Sequence, residues 1–327
     1  MKILIIRLSS MGDIILTQPV ISLLFEAYPD SEIHYICKAQ FAELVRCLDK
    51  RISVLVYEKS IRWHKLLTHS RYDLVLDLHA KLASWLIKNL VNANIKRVYD
   101  KQRGIRKAIV SGARDLAIES TTRLYFSALR GIVSEDQIMS VSSPRIGLPE
   151  QTSNLDLLPD FATGKTTIAI FPGAAHPTKI YPLRYLDEMI KMTGRDYRFL
   201  LFGSKQENHL CLRLADSNPE TAINLCGALS FSELNRVLAR CDLVISGDSG
   251  PMHLAAALNK KQIAIFGSTH PRLGFAPQNE NAILLCLDLP CQPCSLHGVK
   301  RCPLGHFDCM MKIKPDVIYQ IIQKAIG

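Results

Sequence analysis

The sequence of 327 residues contains no apolar run long enough to cross a membrane. A transmembrane helix requires about 18 or more predominantly apolar residues, whereas the longest candidate, residues 74–91, includes Asp77, His79 and two lysines. The apolar run at the N-terminus is interrupted by Arg7, and no small-residue cleavage site follows it, which argues against a secretory signal peptide. We therefore expect a cytoplasmic protein.

Aromatic residues are scarce, at 7% of the chain, and the 30 acidic residues are outnumbered by 40 basic ones, so the formal net charge is +10. A positive protein is attracted to an anion such as a phosphorylated lipid, a nucleotide or a nucleic acid. Basic residues are densest between residues 81 and 130, without aromatic residues at base-stacking spacing, so we expect no nucleic-acid partner. An ordinary solvated basic face explains the same stretch.

Short apolar runs alternate with longer helical patterns in both halves of the chain. Predicted strands fall at residues 2–8, 32–37, 54–58 and 73–79, and later at 167–173, 198–204, 222–227, 243–249 and 262–268. Predicted helices fall at residues 16–28, 182–194, 206–216, 230–240, 251–258 and 315–326. Strands that alternate with helices form a parallel sheet covered on both faces, so the predicted fold class is α/β.

The alternation pauses over residues 142–166, which are rich in proline, glycine and polar residues. In a chain long enough for two domains, such a pause indicates a linker. We therefore place an N-terminal domain at residues 1–160 and a C-terminal domain at residues 161–327.

The first predicted strand leads into RLSSMGD, residues 7–13, a loop of small residues that precedes a helix. Such a loop brings backbone N–H groups and the positive end of a helix to one point, which suits an anion. Asp13 is placed either to cap this helix or to take a proton from an attacking hydroxyl group in a cleft between the domains. The local sequence leaves both interpretations open.

A second loop, FPGAAHPTKIYP at residues 171–182, places Lys179 just before a helix. A point cation beside a helix N-terminus is suited to holding a diphosphate, although a lysine here is equally compatible with a solvent-facing position. After a further strand, Glu207 lies in the first turn of a helix, where an acidic side chain favours the helix dipole. We prefer that interpretation to nucleoside binding.

A third loop, SGDSGPMHLAAA at residues 246–257, is the most specific of the set. Asp248 can accept hydrogen bonds from a ribose hydroxyl group or from backbone amides, and the amides of residues 249–252 can meet phosphate oxygens. His253 falls in the first turn of the following helix, close to the same anion. The alternative is a capped turn with a core histidine.

Six of the ten cysteines are scattered among apolar residues, as is typical of buried thiols in a reducing compartment. The other four, Cys291, Cys294, Cys302 and Cys309, lie within nineteen residues and begin with C-x-x-C. Four such cysteines can form a tetrahedral zinc site. The spacing differs from the standard zinc ribbons, so two disulfides or packed free thiols are alternatives, and in each case we expect a structural role.

Four segments carry a family resemblance: RLSSMGDIILTQPV, GAAHPTKIYPL, SGDSGPMHLAAAL and the tail with CQPC and CPLGHFDCM. Together they resemble the family-9 glycosyltransferases, which include the lipopolysaccharide heptosyltransferases, and the tail is most similar to the heptosyltransferase II branch. The resemblance spans nearly the whole chain. It implies a GT-B fold, in which two Rossmann-like, doubly wound parallel-sheet domains face a cleft and the C-terminal helix crosses back to the first domain.

The resemblance also implies roles for individual residues. Asp13 matches the catalytic aspartate of the family. The residues that match donor-binding positions are Ser10, Lys179, Asp248, Ser249, Gly250 and His253. The chain departs from some members at Ala174 and Ala175, where they carry hydroxyl residues, so a phosphate contact there must come from backbone amides.

The implied reaction is the inverting transfer of a heptose from ADP-heptose to an anionic acceptor linked to lipid A. Asp13 deprotonates the acceptor hydroxyl group, and protein cations stabilise the leaving ADP, so no metal or other cofactor is expected. The basic stretch of the first domain suits this acceptor, with Arg103, Arg106 and Arg123 as predicted contacts. Peripheral contact with the cytoplasmic face of the inner membrane is also expected.

Alternatives from other classes remain at this point. A GT-B enzyme could use another nucleotide-sugar, or could act on a nucleotide-sugar alone as an epimerase or hydrolase. A non-catalytic protein that binds anionic glycolipid would lack turnover. An oxidoreductase is disfavoured because the first loop lacks G-x-G-x-x-G and the second strand closes with Cys37 and Lys38 instead of an acidic residue.

Overall fold

The computed structural model describes residues 1–141, 143–148 and 164–326. They form two compact units, the first comprising Met1–Arg103 and Glu119–Gly147 and the second comprising Gly104–Ile118 and Leu148–Gly327. The predicted domain boundary at residues 160 and 161, like most of the predicted linker, lies outside the described residues. The sequence-based division assigns Gly104–Ile118 to the first domain, whereas the structure groups this segment with the second unit.

The first unit is built on a five-stranded parallel sheet. Its strands are β1 (Lys2–Ile6), β2 (Glu32–Cys37), β3 (Ser53–Val56), β4 (Arg71–Asp77) and β5 (Asn92–Val98). Their order is β3-β2-β1-β4-β5, and in the centre Ile3 pairs with Ile33 on one side and with Leu74 on the other. Residues 3–6 are fully buried, because a central parallel strand is covered on both faces.

Short helices follow the strands of this unit. They are α1 (Met11–Ile15), α2 (Gln18–Ala27), α3 (Ala42–Leu48), α4 (Ile61–His69), α5 (Leu82–Leu90), α7 (Thr121–Phe126) and α8 (Glu135–Ser140), with α6 (Arg103–Val110) leading into the second unit. The helix predicted at residues 16–28 begins at Gln18, and Pro19 occupies its first turn. Proline is tolerated there because the N–H group that it lacks has no helical partner in a first turn.

The second unit contains a six-stranded parallel sheet. Its strands are β6 (Thr166–Phe171), β7 (Tyr197–Leu201), β8 (Ala222–Asn224), β9 (Leu243–Gly247), β10 (Gln262–Ile265) and β11 (Ala282–Leu285), in the order β11-β10-β9-β6-β7-β8. Ile168, Phe199 and Ile245 are almost completely buried in its core. The parallel α/β architecture predicted from the alternating pattern is therefore confirmed in both units.

The helices of the second unit cover this sheet. They are α9 (Leu183–Thr193), α10 (Asn208–Ser217), α11 (Phe231–Arg240), α12 (Gly250–Ala257), α13 (Asp308–Met311) and α14 (Pro315–Ile326). The family resemblance implies that the last helix crosses back to the first domain. In the structure, Ile318 and Ile322 of α14 share a buried core with Leu186 of α9 in the second unit.

Each sheet starts at a central strand, grows to one side, and then continues on the other side. This switch lies between β1 and β4 in the first sheet and between β6 and β9 in the second. In open parallel sheets, ligands bind beside the carboxyl ends of the strands at such a switch. The loops after these four strands are therefore the candidate sites. Within the described ranges, every helix is too short or too polar to span a membrane.

Candidate active site

Asp13 lies in the short helix α1, which follows β1 at the switch point of the first unit. Ser10 is the capping residue of this helix. Its backbone N–H and its hydroxyl group both donate to Oδ2 of Asp13, at 3.2 and 2.8 Å. Asp13 is therefore the third helical residue of a capping box, not the cap itself. Its side chain remains 24% exposed, so the carboxylate is accessible to a reactant.

A buried arginine holds this carboxylate in place. Arg7 is only 5% exposed, and its Nη2 forms an ion pair with Oδ2 of Asp13. The guanidinium group also donates to the carbonyl of Ser9 at 2.8 Å and to that of Leu78 at 2.6 Å. Burial alone would raise the pKa of the Asp13 carboxyl, but the charge of Arg7 and the hydrogen bonds from Ser10 outweigh it and hold this pKa well below its usual range.

Further cations surround the loop after β4. Lys101 Nζ and Arg103 Nη2 both donate to the carbonyl of Ala80, at 2.9 and 3.2 Å. Burial, together with the charges of Arg7, Arg103 and Lys81, lowers the pKa of Lys101 to about 8. We call Arg7, Lys81, Lys101 and Arg103 the basic cluster. Because its members repel one another, the cluster favours an anion.

A neutral histidine lies in the same loop. His79 is 5% exposed, and its Nδ1 has no hydrogen-bond partner among the residues that the structure describes. Burial and the charges of Arg7, Lys81 and Lys101 lower the pKa of His79 to about 3, so the imidazole is uncharged at neutral pH. The loop itself is fixed by Asp77, whose Oδ1 accepts the backbone N–H of His79 at 3.0 Å.

The three arginines predicted to contact the acceptor have different environments. Arg103 belongs to the basic cluster. Arg106 lies in the second unit, is 6% exposed, and stacks with its Cζ 4.6 Å from the ring centre of Phe275. Arg123, in α7, pairs with Glu119 at 3.3 Å. The guanidinium of Arg106 packs against an aromatic ring, and the contact of all three arginines with the acceptor stays a prediction.

The switch point of the second unit contains a buried ion pair. Nζ of Lys179, in the loop after β6, lies 2.8 Å from Oδ2 of Asp248, which follows β9. The two side chains are 14% and 6% exposed. The same carboxylate oxygen accepts a hydrogen bond from Oγ1 of Thr269, which follows β10, at 2.7 Å. The two residues predicted as donor ligands thus lie side by side.

Two glycines allow the Lys179 loop to lie against the sheet edge. A Cβ atom on Gly247, at the end of β9, would lie 2.6 Å from the carbonyl oxygen of Lys179. A Cβ atom on Gly267, just beyond β10, would lie 2.5 Å from the carbonyl oxygen of Thr178. Any larger residue would displace the loop, so glycine is required at both positions for close backbone approach.

The remaining predicted donor residues lie at the start of α12. Ser249 is the capping residue, and its hydroxyl group donates to the carbonyl of Gly247 at 3.3 Å. Gly250 is the first helical residue, and His253, 6% exposed, closes the first turn. The first N–H groups of a helix have no intrahelical partners. This end of α12 therefore presents N–H donors beside Asp248 at the switch point.

Glu207 caps the helical turn in which it lies. Its Oε2 accepts the backbone N–H and the hydroxyl group of Ser204, each at 2.7 Å. The side chain lies directly over Gly173, where an added Cβ would overlap with Oε1. These contacts are consistent with the helix-terminus role preferred from the sequence.

All ten cysteines are free thiols in the structure. Those of the C-terminal group, Cys291, Cys294, Cys302 and Cys309, line one small cavity near the end of β10. Within the described ranges, no three histidine, cysteine or acidic side chains are arranged to hold a metal ion. Because all four of these thiols are free, the two disulfides considered as an alternative are not observed.

Two residues that position the site carboxylates were not predicted from the sequence: Arg7, which pairs with Asp13, and Thr269, which bonds to Asp248. Arg7 attracts notice only as an interruption of an apolar run, although a charge at the end of a buried strand needs a partner, which is a usable signal. Thr269 belongs to no motif. Its contact with Asp248 joins two different βα loops, so the linear sequence gives no sign of it.

Solved structures identify the fold class. The E. coli ADP-heptose lipopolysaccharide heptosyltransferase II aligns with 100% of this chain and 98% of its own, with a TM-score of 0.77 at 20% identity. An E. coli heptosyltransferase solved with ADP aligns with 99% of this chain and 100% of its own, with a TM-score of 0.69 at 20% identity. The chain has the fold of these GT-B glycosyltransferases.

Sequence comparison identifies the family. Residues 61–305 match the model of glycosyltransferase family 9 (heptosyltransferase), so the chain belongs to this family. Lipooligosaccharide heptosyltransferase 2 of Campylobacter jejuni is 37% identical over 162 residues, which is 48% of this chain and only half, 50%, of that protein. Lipopolysaccharide heptosyltransferase 1 of Campylobacter coli is 25% identical over 100% of this chain and 99% of its own.

Proposed function

We propose that the protein is an inverting heptosyltransferase that moves a heptose from ADP-heptose to the inner core of a lipid A-linked lipopolysaccharide acceptor. Membership of family 9 and the names of the full-length relatives support heptosyl transfer. The observation that carries the proposal is the buried pair of Lys179 and Asp248 beside the start of α12, since it places a cation and helical N–H donors at the switch point of one sheet. That combination suits a nucleoside diphosphate.

In this proposal the second unit binds the donor. Lys179 contacts the diphosphate and offsets the charge that develops on the leaving ADP. Asp248 holds Lys179 in place, while Ser249, Gly250 and His253 supply the helix end. Ser10, in the first unit, approaches the phosphate through its hydroxyl group. The reaction then needs no metal ion, because protein cations and the helix terminus provide the stabilisation.

Asp13 is the proposed catalytic base. It is ionised at neutral pH and accessible, so it can accept a hydrogen bond from the attacking hydroxyl group. Its low pKa makes it a weak base. We therefore propose that proton transfer is late: the bond from the acceptor oxygen to the anomeric carbon forms first, and the oxygen becomes acidic enough to release its proton to Asp13. The transition state then resembles an oxocarbenium ion.

The basic cluster is the proposed acceptor site. Lys101 and Arg103 both bind the carbonyl of Ala80 in the loop after β4, and the neighbouring His79 lies in the field of both Lys81 and Asp13. An anionic sugar or phosphate of the acceptor bound at this loop would be held near the base. Arg123 is a weaker candidate because it is already paired. Contact with the membrane would be peripheral and weakened by salt, since it depends on exposed charges.

The test is release of ADP from ADP-heptose, with and without a heptose-deficient lipid A core acceptor. We expect release that depends on the acceptor, together with an acceptor product larger by one heptose in mass spectrometry. UDP-glucose and GDP-mannose serve as control donors. Release without acceptor would indicate a hydrolase or epimerase, and transfer from a control donor but not from ADP-heptose would overturn the heptose assignment.

A further inference from the structure

The four C-terminal cysteines converge on one cavity although they are spread over nineteen residues of irregular chain. Cys291, Cys294, Cys302 and Cys309 all line a cavity of about 20 Å³, and His306 lies in the same wall. A volume of this size holds about one water molecule. The cavity is therefore also large enough for a single ion, and cysteines from both ends of the segment line it.

The backbone around this cavity is fixed independently of the thiols. Gln292, 4% exposed, donates through Nε2 to the carbonyls of Phe266, Gly267 and Thr269 at 3.1, 2.7 and 3.1 Å. The backbone N–H of Cys294 donates to the carbonyl of Ser268 at 3.0 Å. These bonds tie the C-x-x-C turn to the chain after β10, as expected of a ligand loop whose position is set before a ligand binds.

The thiols have no other evident use. They form no disulfide, and the proposed reaction needs none of them. Instead, all four line the same cavity, and Cys309 is only 7% exposed. Cysteines grouped around one small cavity offer the soft sulfur ligands that a thiophilic cation prefers.

We propose that Cys291, Cys294, Cys302 and Cys309 bind one thiophilic metal ion, zinc or iron, in a structural four-thiolate site. Binding releases the four thiol protons to solvent and forms four metal–sulfur bonds without a change of oxidation state. Four sulfur ligands in a tetrahedral arrangement are typical of such ions. Since no three ligands are pre-arranged within the described ranges, ion binding turns thiols inward through changes of side-chain rotamer.

The site would brace the loop that carries Lys179, and this part of the inference rests on the proposed function. The hydroxyl group of Thr178 lies 2.8 Å from Oγ of Ser268 and also bonds to the backbone N–H and carbonyl of Val299, at 2.9 and 2.8 Å. A Cβ atom on Gly298 would lie 2.9 Å from Cδ of Lys179. The chain between the second and third cysteines therefore packs directly on the proposed diphosphate ligand.

The experiment is metal analysis of the untagged protein, purified anaerobically from cells supplied with zinc and iron. We expect about one zinc or iron per chain, and Cys294→Ser and Cys302→Ser should each lose most of it. Cys47→Ser, at a half-buried thiol of the first unit, is the matched control and should retain full occupancy. Because a serine variant can fail to fold, a second measurement uses wild type alone: a thiol-blocking mercurial should release the ion in step with modification of Cys291, Cys294, Cys302 and Cys309, which peptide mass spectrometry distinguishes from the other six thiols.

Cobalt exchange provides a spectroscopic readout that is separate from catalysis. Cobalt(II) in the wild-type site should give intense thiolate-to-metal charge-transfer bands, which Cys294→Ser weakens and Cys47→Ser leaves unchanged. Metal content well below one per chain, or a cobalt spectrum without thiolate bands, would overturn the site. If the ion binds but its removal leaves ADP affinity unchanged, the bracing of Lys179 is wrong while the site stands. Failure of heptosyl transfer alone would leave the metal result untouched.

Discussion

Each of the two switch points of this chain contains an ion pair, but the more buried partner is the cation in the first unit and the carboxylate in the second. In the first unit the cation, Arg7, is buried and the carboxylate of Asp13 is 24% exposed. In the second unit the carboxylate of Asp248 is 6% exposed and is fixed by Thr269, while Lys179 is the more accessible partner at 14%. A buried ion pair at a sheet edge can thus present either charge, depending on which partner the surrounding hydrogen bonds hold back.

The largest expected effect is at Asp13. Asp13→Asn keeps the shape but removes the proton acceptor, so turnover should fall by about 10²–10⁴-fold while affinity for ADP changes little. The measurement is acceptor-dependent ADP release, with isothermal titration of ADP. Asp49→Asn, which removes a carboxylate paired with Arg51 at 2.6 Å elsewhere in the first unit, is the control. Near-normal turnover in a folded Asp13→Asn protein would remove Asp13 as the base.

Lys179→Ala should mainly weaken the binding of ADP, whereas Asp13→Asn mainly lowers turnover. Affinity for ADP should fall by about 10- to 100-fold, because a hydrogen bond to a charged group contributes roughly 1.5–3 kcal/mol. The variant also leaves Asp248 buried without its cation, so the melting temperature should fall as well. Lys191→Ala breaks an exposed pair with Asp187 of 2.7 Å and should leave ADP affinity unchanged. Unchanged ADP affinity in Lys179→Ala would break the proposed contrast between the two sites.

A smaller effect is expected from pH at Lys101. The pKa of about 8 means that this lysine is charged below pH 8 and loses its proton as the pH rises above it. An anionic acceptor favours the charged form, so its KM should rise by about fivefold from pH 7 to pH 9, roughly 1 kcal/mol for a partly exposed charge. Lys101→Arg stays charged and should flatten this profile. Lys50, which is exposed elsewhere in the first unit, provides the control, since Lys50→Arg should keep the wild-type dependence of KM on pH. If Lys101→Arg also kept the wild-type dependence, Lys101 would not be a ligand of the acceptor.

The smallest effect tests how Asp248 is held. Thr269→Val removes one buried hydrogen bond of 2.7 Å but keeps the shape, so ADP affinity should weaken by about threefold, roughly 0.7 kcal/mol. Thr193→Val removes a hydroxyl group bonded to the Ile190 carbonyl at 2.7 Å in the same unit and serves as the control. An equal change in both variants would indicate a general loss of stability instead of a loosened Asp248.

Local patterns predicted the strands with two exceptions, β5 and β11. Both are edge strands with partly exposed side chains, so their apolar alternation is weak. The motif residues were found because strand ends and helix starts are local signals. The pairing of Lys179 with Asp248 and of Arg7 with Leu78 depends on strand order, which one sequence does not determine. The assignment of Gly104–Ile118 to the second unit was missed because it depends on contacts between distant parts of the chain, such as the hydrogen bonds from Arg272 to the carbonyls of Ala113 and Arg114.

The burial of Arg7 also links the proposed base to folding. The pKa of the Asp13 carboxyl is well below its ordinary value of 3.8 in the folded chain and returns to that value on unfolding, so the ionised carboxylate stabilises the fold. This contribution is fully present above the ordinary pKa and is lost as the pH falls toward the folded-state value. A mutation that removes the carboxylate would therefore lower the amount of folded protein as well as its activity. In the cell, proteases would degrade part of the destabilised variant, so its abundance would fall independently of its loss of catalysis.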